Sequence, residues 1–475
     1  MTSPAETALR NPRVDAPTAS VMPASSTSAA PARGRSHWID DFDPENPVFW
    51  ATTGATIARR NLWFSIFSEH IGFSIWSMWS AFVLFLGPKF GFDAGQKFLL
   101  TTIPTAVGSM MRLPYTFAVA KFGGRNWTVI SAALLLIPLA GAAAVLRPGV
   151  SFSTLLAVAA LAGIGGGNFS SSMANIDSFY PQRLKGWALG LNAGGGNLGV
   201  AVVQLVGLGV LATAGKEHPR IILVVYLPLI VAACVGAWWK MDNLTGATNE
   251  KRAMREVCRE PHAWVMSFLY IGTFGSFIGF SFAFGQVLQV QFATQFNTPI
   301  KAAYLTFLGP LLGSLMRPIG GRLADRLGGS RVTLCVFLAM AAGAGVVLIA
   351  SVNKSLSLFL IGFVCLFILT GLGNGSAYKM IPAVFRSKAQ LAIANGADSD
   401  SEGRIARRKS RALIGIAGSI GAFGGVGVNL ILRHAFMTSE TGNSAYVAFI
   451  CFYLVCMAVT WTVYVRPSAR RLQDV

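Results

Sequence analysis

From residue 61 onward the chain is a succession of apolar runs, each roughly 20 residues long, with short polar segments between them. Few folds accommodate that pattern. A helix needs about 20 apolar residues to cross the hydrocarbon core of a bilayer. In lipid every backbone amide and carbonyl must be satisfied internally, so spanning segments are helices or closed barrels. Runs of this length are helical. Twelve are read, at approximately 61–86, 98–120, 127–146, 152–178, 186–212, 220–239, 263–292, 300–324, 331–350, 355–384, 411–433 and 445–465. Charged residues make up 12% of the chain, about half the share of a soluble protein. The expectation is an all-α membrane protein with twelve transmembrane helices.

The net charge of +19 has the sign that nucleic acid requires. Its placement argues otherwise, because the charges sit in short loops between apolar runs. With the N-terminus inside, 28 Lys and Arg fall on the cytoplasmic side and 8 outside, leaving Arg112, Arg317 and Lys379 in the spans. That bias places both termini in the cytoplasm and the protein in a plasma or inner membrane, without nucleic acid as a partner. Residues 1–36, rich in Ala, Pro, Ser and Thr, are expected to be a disordered tail. They hold no apolar run that would make a secretory signal. Residues 37–60 turn from aromatic and acidic to basic, ending in Arg59-Arg60, as a cytoplasmic interfacial segment does. The linker 240–262 divides six-helix bundles at 61–239 and 263–465. A cytoplasmic loop is expected at 386–410 and a cytoplasmic tail at 466–475. The six cysteines have no metal-ligand spacing. They read as small apolar residues, so no metal or cofactor is expected. No nucleophile–base set and no phosphate loop suggest an enzyme.

The two halves repeat each other. Gly108-Ser109-Met110-Met111-Arg112 parallels Gly313-Ser314-Leu315-Met316-Arg317, Ile71-Gly72-Phe73-Ser74 parallels Ile278-Gly279-Phe280-Ser281, and Gly163-Ile164-Gly165 parallels Gly371-Leu372-Gly373, at offsets of 205 to 208. Gly190, Gly196 and Gly199 fall opposite Gly415, Gly421 and Gly424. A parallel repeat of six helices is the plan of major facilitator transporters, whose substrates bind near the midplane between the halves. The stretch Gly321-Arg322-Leu323-Ala324-Asp325-Arg326-Leu327-Gly328 resembles that superfamily's cytoplasmic loop motif. The resemblance implies a gate in which Asp325 and the arginines, Arg322 among them, clamp neighbouring helix ends.

Arg112 and Arg317 carry the chemistry. Each lies inside an apolar span with no acid within one or two helical turns. A charge there costs at least about 2.5–3.5 kcal/mol, and arginine does not shed its proton. Repeat-equivalent positions bring the two together across a central cavity. Two guanidinium forks suit a flat oxyanion. The glycines of spans 4, 5 and 11 suit close helix packing. Packing does not require Asn197, however, and a buried amide needs a partner that an oxyanion would supply.

Three segments resemble the signature segments of the nitrate/nitrite porters, a major facilitator family. They are Gly165-Gly166-Gly167-Asn168-Phe169-Ser170-Ser171-Ser172-Met173, Leu189-Gly190-Leu191-Asn192-Ala193-Gly194-Gly195-Gly196-Asn197-Leu198-Gly199, and the glycine run of span 11. Arg112-Leu113-Pro114-Tyr115 and the stretch from Tyr270 to Phe277 resemble it too. The resemblance implies a nitrate site in which Arg112, Arg317 and Asn197 hold the ion. It also implies that Phe169, Tyr270 and Phe274 sandwich the ion, and that Gly166, Gly194 and Gly421 lie with it.

The expected activity is nitrate and nitrite transport by alternating access, by a monomer in the bilayer. Two facing arginines repel when the site is empty, which favours nitrate/nitrite exchange. Glu69-His70 in span 1 are candidates for proton coupling and keep nitrate/proton symport open. Carriage of another small anion and an anion-sensing receptor are the remaining alternatives.

Overall fold

The apolar runs fold as long helices. The computed structural model describes residues 37–246 and 251–466. The expectations for residues 1–36, for 247–250 of the linker and for 467–475 of the C-terminal tail lie outside the described residues. The helices are α1 (Ala55–Phe85), α2 (Ala94–Phe122), α3 (Gly124–Val145), α4 (Phe152–Phe179), α5 (Gln182–Thr213) and α6 (Arg220–Lys240). They continue with α7 (Pro261–Gln291), α8 (Leu308–Leu327, preceded by a helical turn pair at Pro299–Thr306), α9 (Gly329–Val352), α10 (Leu356–Ala394), α11 (Ser399–Ser439) and α12 (Asn443–Val465). Among the described residues nine of these, α3 to α7 and α9 to α12, are long and apolar enough to cross a membrane. α1, α2 and α8 carry Glu69, Arg112 and Arg317 among Ser, Thr and Pro, which lowers their mean hydropathy.

Local chemistry fixes the helix ends. Asp93 and Gln96 form a reciprocal capping box at the start of α2, with bonds of 2.7 and 3.0 Å, and so satisfy amides that the first turn leaves open. Two helices change pitch midway. α4 tightens to a 3-10 turn at Gly163–Gly167, and α7 widens to a π turn at Ile271–Gly275. Irregular turns of this kind inside helices gather at functional segments.

Residues 386–410 form a helical hairpin, not the expected loop: 386–394 end α10, 399–410 open α11, and 395–398 turn between them. The run from Arg386 to Ala394 is made largely of good helix formers, and α10 continues through it. Gly396, at φ +93°, reverses the chain. The Asp398 carboxylate then accepts from the Ser401 amide at 2.8 Å and starts α11. The base of this hairpin is clamped to the linker. Arg408 meets Glu256 at 2.7 Å, while Lys388 and Lys409 meet Glu260 at 2.5 and 2.9 Å. Burial pushes the Glu260 carboxyl up, but the bonds from Lys388 and Lys409 outweigh it and hold the group below its ordinary value.

The interfacial segment is tied down as well. Trp38–Ile39 pairs in parallel with Asn243–Leu244 of the linker. Beside this pair the buried Asp242 meets Arg60 and accepts from Asn61 at 3.0 Å. In the helical body α1 packs on α5, α8 on α10, and α9 on α10 and α12. The contacts of α2 with α11 and of α5 with α8 join early helices to late ones. Both candidate arginines lie on these joining helices.

Candidate functional site

Arg112 is fully buried on α2. Its Nη1 donates to the Gly418 carbonyl of α11 at 2.8 Å. Its guanidinium carbon lies 4.5 Å from the centre of the Phe169 ring and 4.9 Å from that of Phe274. Trp76 and Phe73 complete the surround at 5.4 and 5.9 Å. Arg317 of α8 is also buried, and its Nη2 donates to the Tyr270 hydroxyl at 2.9 Å. Its guanidinium carbon lies 5.8 Å from both Phe169 and Phe274, and 5.3 Å from Tyr378. The two arginines therefore share the same two rings. Those rings stand 6.2 Å apart at 30°, and Tyr270 stacks on Phe274 at 5.2 Å and 10°.

Three guanidinium nitrogens, Arg112 Nε and Nη2 and Arg317 Nη1, are buried without a hydrogen-bond partner. Among the described residues neither arginine forms an ion pair with a carboxylate. Cation–π contact with the rings offsets part of the cost of burial. It leaves the open N–H groups unsatisfied, and an unmet charged donor is expensive. Asn197 of α5 is 1% exposed and both of its amide atoms lack a partner.

The glycines divide. A Cβ on Gly421 would strike the Tyr270 ring, so that glycine lets the tyrosine lie flat against α11. Gly194 is buried, yet a Cβ there would meet nothing within 4 Å, so it borders open internal space. Gly166 is a packing residue. A Cβ there would come within 2.8 Å of Gly108 Cα and 2.9 Å of the Trp76 ring, which fits close approach of α4 to α2 and α1.

Glu69 and His70 part company. The Glu69 side chain is fully buried and accepts from Ser172 of α4 and, at 2.7 Å, from Asn192 of α5. His70 turns to the α5 backbone, its Nδ1 3.1 Å from the Gly195 carbonyl. Asp325 pairs with Lys379 of α10 at 2.9 Å, not with an arginine, and Arg322 is exposed beside it. The sequence reading did not single out Tyr378, Trp76 or the Ser172–Asn192 pair. No motif marks them, because each acquires its role only when distant helices meet.

A vestibule of about 1570 Å³ leads from Arg317 and Tyr378 to one end of the molecule, lined by Arg322, Lys379, Arg386, Arg404 and Arg407. At its edge Asp177 meets both Lys185, at 3.2 Å, and Arg411. The opposite end is sealed by bonds between early and late helices. Gln204 donates to the Ser281 carbonyl at 2.8 Å, Gln286 to Ala94 at 2.6 Å and Arg433 to Gly95 at 3.1 Å. The geometry describes a buried, positively charged, aromatic-walled cleft that opens at one end. Among the described residues no group of three potential metal ligands occurs.

Comparison with known proteins agrees. Residues 62–397 match the Major Facilitator Superfamily. The chain is 37% identical over 459 residues to the nitrate/nitrite transporter NarU of Salmonella typhimurium, covering 91% of this chain and 97% of that protein. It is 31% identical over 459 residues to the probable nitrate/nitrite antiporter NarK2 of Thermus thermophilus, covering 91% and 98%. Among solved structures a D-xylose–proton symporter superposes with a TM-score of 0.63 at 13% identity, over 85% of this chain and 97% of that one, a likeness of fold alone. Two buried arginines set against the same two rings, together with these relatives, lead to one conclusion: the chain is a multi-pass membrane protein of the major facilitator superfamily and belongs to its nitrate/nitrite transporter family.

Proposed function

We propose that this chain carries nitrate and nitrite across the membrane by alternating access, exchanging one for the other. One observation supports the reading above all: three unpaired guanidinium nitrogens buried beside two shared aromatic rings. A planar monovalent oxyanion between Phe169 and Phe274 accepts from Arg112 and Arg317 and gives Asn197 a partner. Tyr270 orients Arg317, Gly421 makes room for Tyr270, and Gly194 borders the ion. The printed names of the relatives, a nitrate/nitrite transporter and a probable nitrate/nitrite antiporter, favour the same substrates.

We read α1, α2 and α8 as spans with the nine apolar helices, which gives twelve in two repeat-related bundles with both termini cytoplasmic. In that orientation the vestibule opens to the cytoplasm and the sealed end faces outward. Arg322 and Asp325 stand at the mouth as gate residues, with Asp325 acting through Lys379. The residues named here all come from one chain, so the proposed carrier is a monomer. Exchange follows from electrostatics. Two arginines that keep their charge repel in a closing, low-dielectric cleft, and a bound anion offsets that cost. The loaded carrier therefore reorients faster than the empty one.

Counterflow tests the reading. Proteoliposomes holding nitrite should take up labelled nitrate, and vesicles holding only phosphate or lactate should not. Uptake no greater than in protein-free vesicles, or equal competition by phosphate, ends the proposal. Uptake driven by a pH gradient with no internal nitrite would replace exchange by symport.

A further inference from the structure

The hairpin that joins α10 to α11 carries cations of two kinds. Some are matched by the linker: Lys388 and Lys409 meet Glu260, and Arg408 meets Glu256. Arg386, Arg404 and Arg407 instead line the vestibule. Among the described residues none of these three forms an ion pair. Arg404 and Arg407 are three apart on α11 and so share one face of it.

α8 and α9 add three more cations to the same cavity. Arg322 and Arg326, four apart near the end of α8, line it with Arg331 of α9, again without an ion pair among the described residues. Arg331 stands in the first turn of α9, where the helix dipole works against a cation. The acids of the wall do not balance these six arginines. Asp177 is taken by Lys185 and Arg411, and Asp325 by Lys379. Asp400 is left, one carboxylate against six guanidinium groups. Asp398 is within electrostatic reach of Arg404, but its side chain caps the start of α11.

We propose that the vestibule is a binding site for a soluble oligophosphate, an anion with several charges on linked phosphate groups, and that its occupation blocks transport. Six unpaired cations in one concave wall create a positive potential, which the low-dielectric protein around them focuses. A monovalent anion neutralises one of them. A chain of phosphates meets several at once, and guanidinium forks match phosphate oxygens in pairs. The vestibule, at about 1570 Å³, has room for such a chain. The slot beyond it does not: Phe169 and Phe274 stand 6.2 Å apart at 30°, a spacing that suits a planar ion and not a tetrahedral one. The oligophosphate therefore stops short of the rings, between the mouth and Arg317. Alternating access requires this end to close, and a filled vestibule cannot. The binding does not depend on the nitrate reading above; the block of transport rests on it.

Calorimetric titration of the purified full chain with inorganic tripolyphosphate, in non-ionic detergent without lipid or nitrate, tests the site. One tripolyphosphate should bind per chain, with an affinity that falls as salt screens the arginines. Orthophosphate should bind about tenfold more weakly or worse. Arg386→Gln, Arg404→Gln and Arg407→Gln combined should weaken tripolyphosphate about tenfold or more. Should that variant fail to fold, Arg404→Gln with Arg407→Gln takes its place. Lys121→Gln, Arg255→Gln and Arg259→Gln combined remove the same charge from exposed positions outside the vestibule and should leave the affinity as it is. No binding at low salt, or equal losses in the two combined variants, overturns the site. Equal affinity for the two phosphates overturns the oligophosphate. Binding that persists in nanodiscs of neutral lipid but vanishes in phosphatidylglycerol assigns the arginines to lipid headgroups and overturns the soluble ligand. In counterflow, tripolyphosphate on both faces of the vesicle should slow nitrate uptake by the wild type and have no effect on the vestibule variant. Uptake undisturbed by a ligand that calorimetry shows bound overturns the block and leaves the site. Absence of uptake without tripolyphosphate is instead the failure of the nitrate reading, and the titration still decides the site.

Discussion

Arg112 and Arg317 occupy equivalent places in the internal repeat, yet they are held differently. Arg112 is sealed in, 0% exposed, anchored to a backbone carbonyl and ringed by four aromatic side chains. Arg317 is 4% exposed, anchored to a tyrosine hydroxyl, and lines the vestibule. Arg112 has two open nitrogens and Arg317 one. A backbone carbonyl cannot swing away, whereas a side-chain hydroxyl can. On the proposed function, Arg112 is the fixed floor of the site and Arg317 the adjustable side that first meets an ion from the vestibule.

The sharpest way to break that contrast is to replace each arginine by lysine, which keeps the charge and removes the planar fork. Arg112→Lys forfeits two open donors and should weaken nitrate binding roughly 100-fold, about 3 kcal/mol. Arg317→Lys forfeits one and should cost roughly tenfold. Equilibrium binding of nitrate to the purified variants measures both, and the reverse order would refute the assignment of floor and side. A smaller effect is expected from Tyr270→Phe, which removes only the anchor of Arg317. Affinity should fall about threefold to tenfold, and the loss should disappear in an Arg317→Lys background. Additive losses in the double variant would show that Tyr270 acts independently of Arg317.

The smallest effect is a control far from both arginines. The Glu260 carboxyl is held below its ordinary value of 4.5 by Lys388 and Lys409, although burial acts against it. A depressed carboxyl stabilises the folded state above its unfolded value, and that stabilisation is lost as pH falls through the lower folded value. Glu260→Gln should therefore lower the melting temperature at neutral pH by less than about 2 °C, the pair being partly solvated. The difference should vanish once the pH has fallen below that lowered folded value, with nitrate affinity unchanged at neutral pH. A change in affinity would mean that the clamp at the base of α11 reaches the site.

Much of this was legible in the sequence, for physical reasons. Arg112 and Arg317 announce themselves because a charge in an apolar run is costly wherever it occurs, and the repeat placed them opposite each other. Asn197 was legible as a buried amide, a neutral polar group that still needs a partner inside an apolar span. The role of Gly166 was not, because a glycine that borders a ligand and one that lets helices touch look alike along a chain. The 386–410 segment resembled a loop because its charges broke the apolar run. Its helix formers and the Asp398 cap carried the opposite signal and weighed more. The Glu69 cluster needs α1, α4 and α5 to meet, and residues 69, 172 and 192 have no periodic relation that a single helix would reveal. Lys379, which the charge count left inside a span, finds its partner Asp325 only where α10 packs on α8.

The π turn at Ile271–Gly275 has a consequence for how the site tolerates change. It lodges an additional residue where a regular helical turn would hold one fewer. Each α-helical residue turns the chain by about 100°, so this surplus is a phase slip stored between Tyr270 and Ser276. Losing one residue there would leave α7 helical and long enough to span. It would also swing Tyr270 more than a quarter revolution relative to Ser276 and everything after it, leaving Arg317 without its anchor. At this point the helix keeps time for the site, and a single dropped beat silences it while the fold carries on.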